Sequence, residues 1–398
     1  MSTVSIEKMR PKLLSLEHVT QQLQKTEPLG KYHVSADAKV KFKLAPDWGV
    51  DLDAVGPLQT VGAEVTIDGN EYPLTKGAVL QAFANLGLTE PYVKKTPATL
   101  TEPLLNYGYG NSLGDRSYNA LSVAGKIVAF AKPTISPFSN LQLLEQVVDG
   151  VQDFFGGPGT EILVDYKFRN DLKKTDIRLI VPEAQQILTD TGMTDLEDDT
   201  DLWSAGVHLS NSLTGRAQTS VEAYLFRWWC TNGATTELAS TQGIWSRKSQ
   251  GQEDDVYLWA KETVNGIFEG IGEKWDAVQA LTDLKLGSNS SDVLRQIFED
   301  YKIPVAQRRS ITDKFAASTV PATMYGVMNV ITESANEEGV TPDRRDALMR
   351  IGGDVPSAVF DTVKAQVWRE GHLADPDAPN PYEIQRAEAL AAAGTAVA

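Results

Sequence analysis

The chain has 398 residues, enough for about two to three domains at roughly 100–200 residues each. Its 42% hydrophobic and 23% charged residues are those of a globular protein, which excludes global disorder. There are 53 carboxylates against 37 Lys and Arg, a net charge of −16 that repels nucleic acid at long range. The excess is uneven. Residues 1–250 hold 23 basic and 29 acidic groups, and residues 251–398 hold 14 and 24, so an anionic ligand is expected to favour the first part. The single cysteine, Cys230, excludes an intrachain disulfide and fits a reducing cytosol. The start at Met1 has no basic stretch followed by an apolar core, so no signal peptide is expected. No apolar run approaches the ~18–20 residues of a membrane span, so no membrane association is expected.

Met9, Leu13, Leu16, Val19 and Leu23 predict a short amphipathic helix over 6–25. Val61, Ala63, Val65 and Ile67 alternate with polar residues up to the turn Asp68-Gly69-Asn70, which predicts a hairpin. Lys76 to Leu88 reads as a helix. Residues 89–122, rich in Pro, Gly, Tyr and Asn, read as a long ordered loop. A strand over 124–131 ends at Pro133. Ser139 caps a helix with the stripe Leu141, Leu144, Val148, Val151 and Phe155, stopped by Gly156-Gly157-Pro158-Gly159.

In the next hairpin Ile162, Val164, Tyr166 and Phe168 alternate with Glu161, Asp165, Lys167 and Arg169. Residues 170–174 turn, and Ile177, Leu179 and Val181 return. One face is expected in the core and one in water. Asp195 to Asp201 forms an acidic loop, followed by strands over 203–210 and 221–226. From about 252 the spacing becomes helical. Further helices are predicted at 290–300, 304–317, 322–336 and 341–352, the last opened by Thr341-Pro342-Asp343.

Strands followed by helices predict an α+β fold, with an antiparallel sheet-rich N-terminal and central part and a helical C-terminal part. The expected regions are 1–122, a sheet-rich 123–250, a helical 251–374 and a loosely held Pro- and Ala-rich tail over 375–398.

No catalytic constellation is recognisable. Gly266 to Lys274 has the wrong spacing for a phosphate-binding loop and lies in a helical pattern. His18, His33, His208 and His372 are far apart, with no metal-ligand spacing, and His208 sits on the polar face of its strand. The acidic loop lacks the glycine and terminal glutamate of a calcium-binding loop. Cys230 has no evident partner to activate it. No cofactor and no metal are expected.

One positive signal remains. Lys167, Arg169, Lys173, Lys174 and Arg178 crowd one hairpin. Lys94 and Lys95 stand beside Tyr92, near Tyr107, Tyr109, Arg116 and Tyr118. Arg216, Arg227, Arg247 and Lys248 flank later strands. Cations for phosphates and aromatics for bases are what single-stranded nucleic acid requires. The competing reading is a solvated hairpin whose cations pair with neighbouring acids.

Two stretches carry a resemblance. One holds Asn211, Ser212 and Gly215, then Arg227, Cys230 and Asn232 on the next strand; the other holds Gly326, Asn329, Thr332 and Glu333 in a late helix. Together, across about 201 to 335, they resemble the phage/plasmid-like family known as domain of unknown function nine-three-two. This chain departs from that pattern at Trp228-Trp229, where aliphatic residues are usual. The resemblance implies a mobile-element protein in a bacterial cytoplasm and supplies no reaction. Three functions stay open. The first is a homo-oligomeric, single-strand-binding recombination or replication protein. The second is an acidic module that binds a host or phage protein. The third is an enzyme built around Arg227, Glu333, His208 and Asn329.

Overall fold

The computed structural model describes residues 10–27, 30–34, 39–46, 48, 59–112, 117–131, 138–170, 174–193, 201–213, 218–228, 232–236, 253–286, 290–316 and 320–355. Of the acidic loop expected over 195–201, residues 195–200 lie outside them, as does the tail from 375; Asp201 is instead the first residue of a strand.

A 3-10 turn (Arg10–Lys12) precedes strand β1 (Leu14–Ser15) and helix α1 (Leu16–Thr26), which is capped by the Ser15 hydroxyl on His18 N. Strands β2 (Gly30–Val34), β3 (Val40–Leu44), β4 (Thr60–Ile67) and β5 (Asn70–Thr75) follow. The expected hairpin is β4–β5, closed by Ile67 opposite Asn70 with Asp68 and Gly69 at positive φ. Helix α2 (Lys76–Asn85) starts where the Thr75 hydroxyl caps Ala78 N.

Residues 89–122 are not one loop. They form α3 (Glu90–Lys95), α4 (Ala98–Tyr107), a π turn over 108–112 and most of β6 (Tyr118–Val123). Pro91 sits in the first turn of α3, where its missing N–H costs nothing, and Pro103 is carried inside α4. Pro91 reads as a break only when helix starts are left out of account, whereas Pro103 stands in the interior of α4. Strand β7 (Lys126–Ala131) pairs with β6 through a tight turn. The first sheet runs β2-β6-β7-β5-β4-β3, antiparallel except for β5 beside β7. It extends to Ala131. Tyr109 and Tyr118 belong to its core, packed with Phe42 and Phe130.

Helix α5 (Asn140–Phe155) has the expected Ser139 cap and a left-handed Gly156 at its end. The second sheet uses β8 (Leu163–Val164), β9 (Arg169–Asn170), β10 (Thr175–Leu188), β11 (Asp201–Asn211), β12 (Ser220–Arg227) and β13 (Asn232–Thr236). Its order is β1-β8-β10-β11-β12-β13, with β9 also on β10. Leu14 and Ser15 thus complete the second sheet, and the two sheets are interleaved in sequence. Leu213 packs against Leu121, Val123, Val128 and Ala129, which joins the sheets.

The expected continuous strand over 162–169 is broken. Asp165 accepts from Lys167 N and Phe168 N, which folds a turn between β8 and β9. Helices α6 (Glu253–Glu269), α7 (Ile271–Asp283), α8 (Ser290–Asp300), α9 (Val305–Phe315), α10 (Met324–Ser334) and α11 (residues 342–355) follow the helical spacing closely. The fold is α+β, as expected, with antiparallel sheets in the N-terminal and central parts and helices in the C-terminal part.

One face of the second sheet, with Ile177, Leu179, Val207, Leu209, Val221 and Ala223, forms the main core with α5, α6, α7 and α10. Gly206 is opposite Ile180, where the β10–β11 register shifts, and a Cβ there would lie 1.9 Å from Leu179 O. Gly206→Ala is expected to lower unfolding free energy by about 3 kcal/mol in urea titration, because backbone has to move. Gly159→Ala, with nothing within 4 Å of the new Cβ, is expected to be neutral in the same measurement.

Candidate functional site

The second face of this sheet is where the sequence placed water, and it is buried. Register sets Arg178, His208 and Glu222 directly opposite one another on β10, β11 and β12. All three are sealed, with Arg178 2%, His208 1% and Glu222 3% exposed. Charges removed from water need partners, and here the partners are other side chains.

Asp176, one pleat from Arg178, lies 3.2 Å from His208 Nε2 and 2.7 Å from Lys174 Nζ. Glu222 lies 3.5 Å from His208 Nδ1 and 2.8 Å from Arg350 Nη2. Asp346 pairs with Arg178 and lies 2.8 Å from Lys174 Nζ. Asp343 pairs with Arg169 at 2.5 Å. Asp343, Asp346 and Arg350 are three and four residues apart, so α11 presents them on one side. Elsewhere on α11, Leu348, Met349, Ile351 and Val355 are buried. Such burial is worth roughly 1.5–3 kcal/mol per side chain, so α11 is a fixed wall.

Of the cations proposed for nucleic acid, Arg178 is therefore buried in an ion pair. Lys167 is 8% exposed and donates to Asn336 Oδ1. Arg169 and Lys174 are held by Asp176, Asp343 and Asp346. The expectation of a wet basic face is corrected: its positive charge is neutralised by β10 itself and by α11. Lys95 is exposed on α3. The Lys94 side chain, Lys173, Arg216, Arg247 and Lys248 lie outside the described residues.

The motif residues serve separate local ends. Asn211 donates to Phe138 O and Asn140 Oδ1, both at 2.8 Å, and accepts from Thr219 at 2.7 Å. It ties the end of β11 to the start of α5. Ser212 is buried beside it. Arg227 pairs with buried Asp201, which also accepts from the Tyr325 hydroxyl. Gly326 is required because a Cβ would meet Pro321 O at 2.2 Å. Asn329 donates to Tyr325 O at 3.0 Å, Thr332 caps back to Met328 O, and Glu333 pairs with Lys314. Asn232 pairs by backbone with Arg227, and its side chain, like Gly215 and Cys230, lies outside the described residues. Arg227, His208, Asn329 and Glu333 thus answer to different partners and form no common constellation.

Electrostatics agree with a structural lattice. Burial pushes Glu222 up, but the hydrogen bonds and charges of His208 and Arg350 outweigh it and hold its pKa down at about 2. Burial likewise opposes Asp176, and His208 with Lys174 keeps it below the usual carboxylate range. Burial lowers Arg178, and Asp346 with Asp165 outweighs this and raises it. Burial and then Asp201 raise Tyr325 well above its usual value, so it stays a donor. Among the described residues, no group of three or more His, Cys, Asp or Glu is arranged to hold a metal ion, and no helix is long and apolar enough to cross a membrane. A groove of about 280 Å³ lies on the first sheet, lined by Lys43, Ala45, Gly62, Glu64 and Pro73. No motif residue reaches it.

Sequence reasoning missed Asp343, Asp346 and Arg350. Their spacing of three and four on one helix was the available signal for a charged side facing another charged surface. No family model, curated protein or solved structure matches the chain.

A carboxylate whose folded pKa is depressed adds stability above its unfolded pKa and loses it as pH falls toward the folded value. For Glu222 the window runs from its ordinary 4.5 down to about 2, roughly 3 kcal/mol in total. Urea midpoints are expected to fall through this window. Glu222→Gln is expected to be less stable than wild type at neutral pH, with the gap closing in acid. A constant gap would contradict the assignment.

Proposed function

We propose that the chain is a non-enzymatic interaction protein of a phage or plasmid, acting in a bacterial cytoplasm by presenting an acidic exterior to a basic protein partner. The mobile-element context rests on the motif resemblance. The observation that carries the reading is the pairing of Arg169, Lys174 and Arg178 with Asp343, Asp176 and Asp346, beside a Lys167 that is buried against Asn336. As many acids as cations are engaged in these pairs, so the acidic excess of a chain at −16 lies outside them. Such a field attracts basic partners and repels polyanions. Separate engagement of Arg227, His208, Asn329 and Glu333 supports the absence of catalysis.

Single-stranded nucleic acid is the second reading. It is favoured by Tyr92 and Tyr107, 51% and 67% exposed in the N-terminal part, with exposed Lys95 nearby in sequence. Aromatics of this kind stack bases, but few described cations accompany them.

The test pairs two measurements. Anisotropy of labelled single-stranded and duplex DNA across a salt series is expected to show no salt-sensitive binding. Affinity capture from a bacterial host lysate is expected to retain a stoichiometric basic protein, released by salt and by added DNA. Single-strand binding that weakens steeply with salt would put the second reading first. Lack of any stoichiometric partner would contradict the first.

A further inference from the structure

Strand β10 has an open stretch of backbone. Its inner edge pairs with β11 as far as Leu188, but its outer edge meets β8 and β9 only between Thr175 and Ile180. Beyond the register shift, Gln185 to Leu188 pair with Asp201 to Ser204 and with no other described strand. The direction of the backbone there follows from its neighbour. Trp228 N donates to Leu202 O at 3.0 Å, so the Leu202 backbone turns toward β12. In an antiparallel pair, the residue opposite one that turns away also turns away. Ile187 lies opposite Leu202, and Gln185 opposite Ser204, so both point N–H and C=O out of the sheet edge. The same phase holds upstream, where Arg178 O, opposite His208, accepts from Asp165 N at 2.9 Å. It holds downstream too: Thr189 N donates to Gln279 Oε1 at 3.2 Å, and Thr189 O accepts from Gln279 Nε2 at 2.9 Å. Gln279 of α7 thus closes one end of the stretch, and Pro182, which has no N–H, closes the other. Between them Glu183, Gln185, Gln186 and Ile187 are exposed. Among the described residues, the hydrogen bond that reaches the outward groups of Gln185 and Ile187 is a long one, from Gln186 Nε2 to Ile187 O at 3.5 Å.

We propose that this edge receives an extended segment of the basic protein partner, which adds a strand to the sheet beside Gln185 and Ile187. The proposal rests on the acidic-exterior reading and names where that partner docks. Backbone selects the form of the occupant. N–H and C=O groups on alternate residues are matched by another extended backbone, which offers them at the same spacing. Charge selects what the segment carries. Residues 181–193 contain Glu183 and Asp190 and no Lys or Arg. On α7, Asp276 and Asp283 stand three residues before and four after Gln279, so they share its side of the helix. The one base of α7, Lys274, lies on another side. None of these four carboxylates is ion-paired among the described residues. A strand with Lys or Arg at alternate positions meets them, and Ile187, 39% exposed, offers an apolar contact between. Two copies of this edge would instead set carboxylates against carboxylates.

Anisotropy of a labelled peptide of alternating lysine and valine, titrated with the full chain, tests this. Binding is expected, weakening with salt. Glutamate for lysine in the peptide, N-methyl groups on its backbone, and Ile187→Pro in the protein are each expected to weaken it by about tenfold or more. Ile187→Pro removes an N–H that no described residue uses, so its urea midpoint is expected to stay at the wild-type value. Amide exchange at Gln185 and Ile187 is expected to slow when the peptide is bound. No binding of the lysine peptide, or equal binding of the N-methylated one, would overturn the inference. So would a mass in light scattering that doubles for wild type and not for Ile187→Pro, because a second copy would then hold the edge. Capture from host lysate separates this proposal from the reading beneath it. A basic partner retained equally by Ile187→Pro overturns the edge and leaves the acidic exterior standing. Peptide binding at the edge with no lysate partner supports the edge and contradicts that reading.

Discussion

Asp346 stands between Arg178 and Lys174, and much of the second sheet depends on what it neutralises. A guanidinium on a β-strand, sealed from water, costs several kcal/mol unless an anion and hydrogen bonds replace its solvent. Asp346 supplies that anion from a helix 168 residues further along the chain. The pairing continues through Lys174, Asp176, His208, Glu222 and Arg350, so charges on three adjacent strands and one helix form a connected set. Geometry of this kind fixes register as well as energy. A one-residue slip of β10 would send Arg178 into the apolar core and bring Leu179 to the charged side.

The same arithmetic bears on function. Cations that hold the fold together are not available to hold phosphates. A chain with 53 acids and 37 bases that pairs several of each with one another keeps its acidic excess outside those pairs. The N-terminal sheet is built differently: its core is aromatic and aliphatic, and the edge of β3 is satisfied by Asn106 and Glu102.

Local signals were legible where each residue's role is decided by near neighbours. Ser139 and Gly156 marked the ends of α5, Asp68-Gly69 the β4–β5 turn, and Thr341-Pro342 the start of α11. Two kinds of information were not. Prolines in a Gly- and Tyr-rich stretch hid α3 and α4, because Pro91 and Pro103 read as breaks although the helices accommodate them. Alternation in β10 revealed two faces but not that both were covered, since the cover comes from residues far along the chain. Asp176, Arg178 and His208 look like a wet face until Asp346 and Arg350 are placed against them. The motif residues were found as a pattern, but their physical roles, such as Asn211 tying β11 to α5, needed coordinates.

The most direct measurement is a double-mutant cycle in urea unfolding at Arg178 and Asp346, using Arg178→Met, Asp346→Leu and the combined variant. If the buried pair is what holds α11 to the sheet, each single change leaves an unpaired charge and is costly. The combined change then recovers much of the loss, with a coupling energy of roughly 2 kcal/mol or more. Strictly additive losses would mean that the two charges do not depend on each other, and would contradict the internal neutralisation of the basic hairpin.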